Sequence, residues 1–235
     1  MRRSITTVLT VLALAATAPG AALAQAQPYV IQTRADGGRY LASEVFIGGR
    51  TLDLSQNMLD NAVHISDEAV GHVATGLTLP RTEGDCSLQW LTGLPQSGGF
   101  VTFDRGGRGY YACTGGAPAF VVLSFEADIS GLERVPGDPG RALAVAGMAL
   151  SRDPAAAECQ ETIAGAVRRV TCRAVTAWNG EQVTEIGLYA GQGDTFLKLN
   201  AACLPADCEA TAATLDRLAT ALGADRLPAD AHPRD

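Results

Sequence analysis

The chain of 235 residues carries 18 basic and 25 acidic side chains, a formal net charge of −7 with its three histidines neutral, and 47% hydrophobic residues. An acidic field of this kind repels nucleic acid and anionic lipid headgroups, and no apolar run beyond the N-terminus approaches the roughly 20 residues of a membrane-spanning helix. Lys198 is the single lysine among seventeen arginines, so a lysine-based active site would have to use that residue.

The N-terminus reads as a secretory signal peptide: Met1-Arg2-Arg3, an apolar stretch from Ile5 to Ala18, Pro19-Gly20, and the small-x-small triplet Ala22-Leu23-Ala24. Cleavage is expected after Ala24, by ordinary Sec export, since the twin arginines lack the hydrophobic residue that twin-arginine signals carry shortly after them. The apolar stretch is too short and alanine-rich to span a membrane, and no cysteine lies at the cleavage point to carry a lipid. The mature protein is therefore expected in the periplasm or outside the cell. In that oxidising setting the six cysteines read as three disulfides. A single α+β domain is expected over 25–226, with a possible sub-boundary at 131–141 where Gly, Pro and charge cluster, and a frayed tail over 227–235.

After the leader, glycine-punctuated strands are expected over Tyr29–Thr33, Arg39–Ile47 and Arg50–Leu54, with a turn at Asp36-Gly37-Gly38. Ser55 is placed to cap a helix carrying Met58, Leu59, Ala62 and Val63 inward. Apolar pieces around Cys86–Leu91, Phe100–Phe103, Tyr110–Cys113 and Ala119–Glu126 read as strands separated by Gly-rich loops. Asp138–Ser151 reads as helix. Past Asp153-Pro154 a short helix with proline at its first position is favoured over a hairpin of Ala157–Ile163 with Ala166–Cys172 about Ala164-Gly165.

The C-terminal part is the most legible. Val170–Trp178 and Gln182–Ala190 flank Asn179-Gly180, the dipeptide that accepts positive φ at both central positions of a type I′ turn. Phe196–Cys203 then alternates, with Leu197, Leu199, Ala201 and Cys203 on one face and Phe196, Lys198 and Asn200 on the other. The three strands form an antiparallel meander. Asp207 is placed as N-cap of a helix over Cys208–Leu222, with Gly223 at its C-terminal end and one face on the meander. The fold expected is thus α+β, antiparallel sheet with a C-terminal helix packed on a three-stranded meander and stapled by disulfides.

Strand, Asn-Gly turn, strand, a Gly-Asp turn before Thr195-Phe196-Leu197-Lys198-Leu199, and a closing helix with Leu215-Asp216-Arg217-Leu218 resemble the PsbP-like α/β/α sandwich. The resemblance spans about residues 157–222 and rests on arrangement. It implies a fold and an assembly or binding accessory role, offers no catalytic motif, and does not include these cysteines in its usual pattern.

Of the fifteen ways to pair six cysteines, the sequential one is expected: Cys86–Cys113, Cys159–Cys172 and Cys203–Cys208, because short loops close at lower entropic cost. Metal or thioredoxin chemistry has little footing, with no C-x-x-C and no second close pair beside Cys203 and Cys208. A metal site is conceivable at His64, Asp67, Glu68 and His72, which would share one side of a continuous helix; Ser66-Asp67-Glu68 also reads as a cap that would split that face. No G-x-S-x-G or S-x-x-K appears, and Ser124 reads as a strand residue. In Asp104-Arg105-Gly106-Gly107-Arg108-Gly109-Tyr110-Tyr111, glycine N–H groups beside two guanidinium forks suit a carboxylate or phosphate, and aromatic packing is at hand. Arg105, Arg108, Tyr110 and Tyr111 are the candidate binding residues; the same segment also reads as a plain hairpin turn. The functional expectation is a non-enzymatic periplasmic binding or accessory protein, without cofactor, for an envelope protein or a small anionic ligand. The alternative is a secreted hydrolase or metal-dependent enzyme built on His64 and His72, which requires the two imidazoles to meet in one pocket.

Overall fold

A computed structural model describes residues 30–33, 37, 39–42, 62–95, 101–115, 117–127, 157–193 and 195–227. The expected leader, the helix over 138–151, the third N-terminal strand, the start of the helix at Ser55 and the sub-boundary at 131–141 lie outside them.

Strands β1 (Val30–Thr33) and β2 (Arg39–Ala42) pair antiparallel, and Gly37 between them takes a φ of 83°. Strands β3 (Val63–Ile65), β4 (Ala69–His72) and β5 (Thr78–Pro80) make a small antiparallel sheet. The main sheet holds β6 (Thr82–Glu83), β7 (Cys86–Pro95), β8 (Val101–Cys113), β9 (Phe120–Glu126), β10 (Ala157–Ala164), β11 (Val167–Trp178), β12 (Glu181–Gln192) and β13 (Thr195–Cys203). Its eight strands, all antiparallel to their neighbours, run in the order β10-β11-β12-β13-β9-β8-β7-β6. Helix α1 (Cys208–Ala221) follows β13, and a 3-10 turn, Ala224–Arg226, comes after it near the end of the described chain. The described part is mostly β, with one C-terminal α-helix.

Local chemistry explains the meander. Asn179 and Gly180 sit at φ of 50° and 80°, the two positive values a type I′ turn demands, and Trp178 pairs with Glu181 across it. The next strand follows through Gly193 at φ 53°. Helix α1 starts after a 3-10 turn, Pro205–Asp207, in which the Asp207 N–H donates to the Leu204 carbonyl at 2.9 Å. Asp207 holds the N-cap position without a side-chain cap bond. At the far end Gly223, at φ 76°, lets its N–H reach the Thr220 carbonyl at 3.0 Å. The helix buries Leu215, Leu218 and Ala219 and rests mainly on β13, with further contacts to β12, β5 and β6. Leu227, the first residue of the expected tail, is buried in the core, and the rest of that tail lies outside the described residues.

Alternation divides the main sheet into two faces. Leu123, Phe125, Ile186, Leu188, Leu197 and Leu199 point to one of them, and the core forms there against Leu215 and Leu218 of α1 and Val70 and Leu79 of the small sheet. All three expected disulfides are formed and no cysteine is free among the described residues. Cys86–Cys113 and Cys159–Cys172 join register partners on neighbouring strands, and Cys203–Cys208 ties the end of β13 to the first residue of α1.

Three expectations are corrected. Val63 and Val70 belong to strands, not to a helix continued from Ser55. Ser66 turns the chain between them: its hydroxyl accepts the Ala69 N–H at 3.0 Å and its own N–H donates to the Ala69 carbonyl at 2.9 Å, a local bond that competes with helix. The chain from Ala157 is β10, paired with β11 about Gly165 at φ 64°, so the hairpin prevails over the favoured short helix. Burying Val167, Val170, Cys172 and Ala174 on the sheet outweighs the helical propensity of the alanines.

The third correction concerns the glycine segment, which is strand interior and not a loop. Opposite β7 the register steps from Gly93–Gly107 to Leu94–Thr102, leaving Phe103 to Gly106 as a bulge. There Gly106 pairs with Glu126, and the Arg105 carbonyl accepts the Ala127 N–H at 2.6 Å. A Cβ on Gly106 would lie 2.1 Å from the Phe125 carbonyl oxygen, so only glycine admits this approach. Gly106→Ala is expected to cost about 2–3 kcal/mol through forced backbone displacement, read as a lower urea midpoint at unchanged m; an unaltered midpoint would remove the bulge from the stability of the fold.

Candidate anion-binding face

The structure separates the expected binding residues. Tyr111 points into the core, where its hydroxyl donates to the Pro80 carbonyl at 2.8 Å. Burial, with Glu83 adding to it, pushes the phenol well above its usual range. Tyr110, its neighbour in an alternating strand, points to the opposite face and stacks on Trp90 at 6.2 Å between centroids. Arg105 faces Glu126 at 3.4 Å. Arg108 is exposed and has no ion-pair partner among the described residues.

What stands beside Arg108 follows from the register. Arg108 pairs with Ser124 on β9, Ser124 with Lys198 on β13, and Lys198 with Tyr189 on β12. Cross-strand partners share a face, so the four side chains form one row across the sheet, on the face opposite Leu123 and Leu199, which also carries a smaller buried cluster of Phe120, Val183, Ala202 and Leu204. Neighbouring strands lie about 4.8 Å apart, and the two cations on the outer strands of this trio can both lean over the serine between them.

The electrostatics of the row are set by burial. Lys198 is half-buried, and desolvation lowers its pKa; Glu126 works against that shift and Arg108 with it. Its ammonium stands 5.0 Å from the centroid of the Phe196 ring. Phe196 in turn stacks on Tyr189 at 6.1 Å, whose phenol is raised by burial against the opposing effect of Arg168. Glu185, on the same face, is occupied by the Asn200 amide, which donates to it at 3.1 Å. A carboxylate or phosphate entering above Ser124 would meet a guanidinium fork, an ammonium and a hydroxyl.

The histidines do not converge. Val63 pairs with His72 and His64 with Gly71, which places the two imidazoles on opposite faces of the small sheet. His64, Asp67 and Glu68 are exposed; His72 is 2% exposed and is held by protein partners. Its Nε2–H donates to the Phe103 carbonyl at 2.5 Å, and its Nδ1 takes the Thr75 N–H at 3.2 Å with the Thr75 hydroxyl 2.8 Å away. Among the described residues no group of three His, Cys, Asp or Glu is placed to hold a metal. The shared helix face assumed for these four residues does not exist, because Ser66 splits the segment into two strands.

On the core side, a cavity of about 630 Å³ opens between the β10–β11 hairpin and α1. Ile186, Leu188 and Leu215 line its apolar part, with Glu158, Gln160 and Thr171 among its polar groups.

No protein-family model matches the chain, and no curated protein matches it. A crystal structure of the protein of unknown function PA94 from Pseudomonas aeruginosa aligns over 74% of this chain and 96% of its own, at 13% identity and a TM-score of 0.32. A score that low carries neither fold nor function across.

Proposed function

We propose that this chain is an exported, non-enzymatic binding or accessory protein of the periplasm that holds an anionic ligand, or a partner bearing carboxylates, on the face built by Arg108, Ser124 and Lys198. The observation that carries the reading is the pairing of two cations, neither with an ion-pair partner among the described residues, on either side of one serine in a protein of net charge −7. Three disulfides accord with the oxidising compartment that the N-terminal sequence implies. No helix among the described residues is long and apolar enough to cross a membrane. The enzymatic alternative loses its support with the separation of His64 and His72.

Citrate, a small tricarboxylate, is the probe. Calorimetric titration at low salt is expected to show binding that weakens as salt is raised. Arg108→Ala and Lys198→Ala should each reduce affinity about tenfold, equivalent to about 1.4 kcal/mol, whereas Arg105→Ala should change it far less because Arg105 already faces Glu126. The lowered pKa of Lys198 adds a pH signature: its charge, and the affinity it supplies, are present at neutral pH and fade as pH rises through a range below that of an ordinary lysine. Lys198→Arg should abolish that fade. A folded Arg108→Ala, Lys198→Ala double variant that binds citrate like the wild type would remove this face from the account.

A further inference from the structure

The cavity under α1 has a polar wall and an apolar floor, and strand register sets both. Glu158 pairs with Arg173 and Gln160 with Thr171, so alternation turns these four side chains to the face of the β10–β11 hairpin that looks toward α1. Ile186 lies beside Arg173 and Leu188 beside Thr171 on β12, and with Leu215 of α1 they carry the core out to the cavity. A volume of about 630 Å³ lies within the range of small-molecule sites. No aromatic side chain is among its described lining residues, so it offers none of the platforms on which nucleobases and other planar rings stack.

The charges decide what fits. Arg169 is engaged by Asp216 of α1. Arg173 comes only within 3.7 Å of Glu209, whose side chain is 92% exposed, and a surface pair of that kind is worth little. Glu158 has no ion-pair partner among the described residues. Register partners have Cβ atoms about 5 Å apart, so one end of the cavity presents a guanidinium fork and a carboxylate side by side, above an aliphatic floor. Two disulfides brace the walls: Cys159–Cys172 joins the residues next to Glu158 and Arg173, and Cys203–Cys208 ties down the start of α1. Walls set before a ligand arrives lower the ordering cost of binding. We propose that this end of the cavity binds a free α-amino acid with an aliphatic side chain. Its carboxylate takes the Arg173 fork in place of Glu209, its ammonium donates to Glu158, and its side chain lies against Ile186, Leu188 and Leu215. A plain anion leaves Glu158 unanswered beside it, and a plain cation does the same to Arg173. The site is independent of the anion-binding face, which lies on the other side of the sheet: Thr171 and Leu188 share a row with Leu199, the neighbour of Lys198 in an alternating strand.

Leucine is the probe, with isoamylamine and isocaproate as the same skeleton lacking one charge each. Calorimetric titration of the disulfide-bonded protein is expected to give leucine a Kd on the order of 0.1 mM, within the ceiling for so small a ligand, and each analogue a Kd about tenfold weaker or more. Glu158→Gln should weaken leucine and the amine about tenfold and leave the carboxylate unchanged. Arg173→Gln should weaken leucine and the carboxylate by a similar factor and leave the amine unchanged. Both side chains stand at the surface, so circular dichroism of the variants should match the wild type. The Arg108→Ala, Lys198→Ala variant should bind leucine like the wild type. No leucine binding at about 5 mM, a concentration far above such a Kd, would overturn the proposal, as would leucine bound no more tightly than both analogues. So would a Glu158→Gln or Arg173→Gln protein that binds leucine as the wild type does. Loss of leucine binding with the Arg108 and Lys198 changes would also overturn it, by placing the carboxylate on the opposite face.

Discussion

His72→Ala is expected to lower the unfolding free energy by about 4 kcal/mol. The imidazole is buried where β4 of the small sheet meets the bulge of β8, edge-on to the Phe125 ring with centroids 5.0 Å apart. Truncation leaves a cavity there, at about 3 kcal/mol for a ring of this size, and strips the Phe103 carbonyl of its donor, at about 1 kcal/mol or more. His72→Phe separates the two: it keeps the ring volume and should cost only about 1–2 kcal/mol, the share of the lost hydrogen bond. Urea unfolding of both variants against the wild type measures this. A His72→Ala protein within about 1 kcal/mol of the wild type, a typical surface-substitution effect at most, would mean that the small sheet is not anchored through this side chain.

The second large effect is graded. Removing the disulfides one at a time, each as a double Cys→Ala variant, is expected to cost most for Cys86–Cys113, less for Cys159–Cys172 and least for Cys203–Cys208. Their sequence separations are 27, 13 and 5 residues. Chain-entropy arithmetic turns these into about 3.5, about 3 and about 2 kcal/mol, because the longest loop restricts the unfolded ensemble most. The bridges brace a sheet that already has an extensive core, so each variant should still fold at low temperature and differ in denaturant midpoint. A Cys203–Cys208 variant less stable than the Cys86–Cys113 variant would show that native-state anchoring of α1, and not unfolded-state restriction, governs these bonds.

By itself the sequence determined what nearest neighbours decide. Asn179-Gly180 admits two positive φ values and so makes the β11–β12 hairpin wherever the chain is. The alternation from Phe196 to Cys203 and the apolar spacing of Leu215, Leu218 and Leu222 named β13 and α1 almost to the residue. The three disulfides were legible for the same reason, since each closes a loop short enough to favour sequential pairing. Ala157 to Ala164 favours helix locally, because alanine and glutamate are helix formers, while the partner that holds it extended is the strand after Gly165. The glycines from Gly106 to Gly109 looked like a loop because glycine marks turns; what they answer is the close approach of β9 and β7, which no local pattern records. The candidate site shows the same division. Arg108 and Lys198 stand ninety residues apart in the chain, and their alternation assigned each a face without saying which strands would be neighbours. Only the insertion of β9 between β8 and β13 sets both cations about Ser124, and the same tertiary pairing put His64 and His72 on opposite sides. Strand order is chosen by burial summed over the whole sheet, a quantity that belongs to no window of sequence.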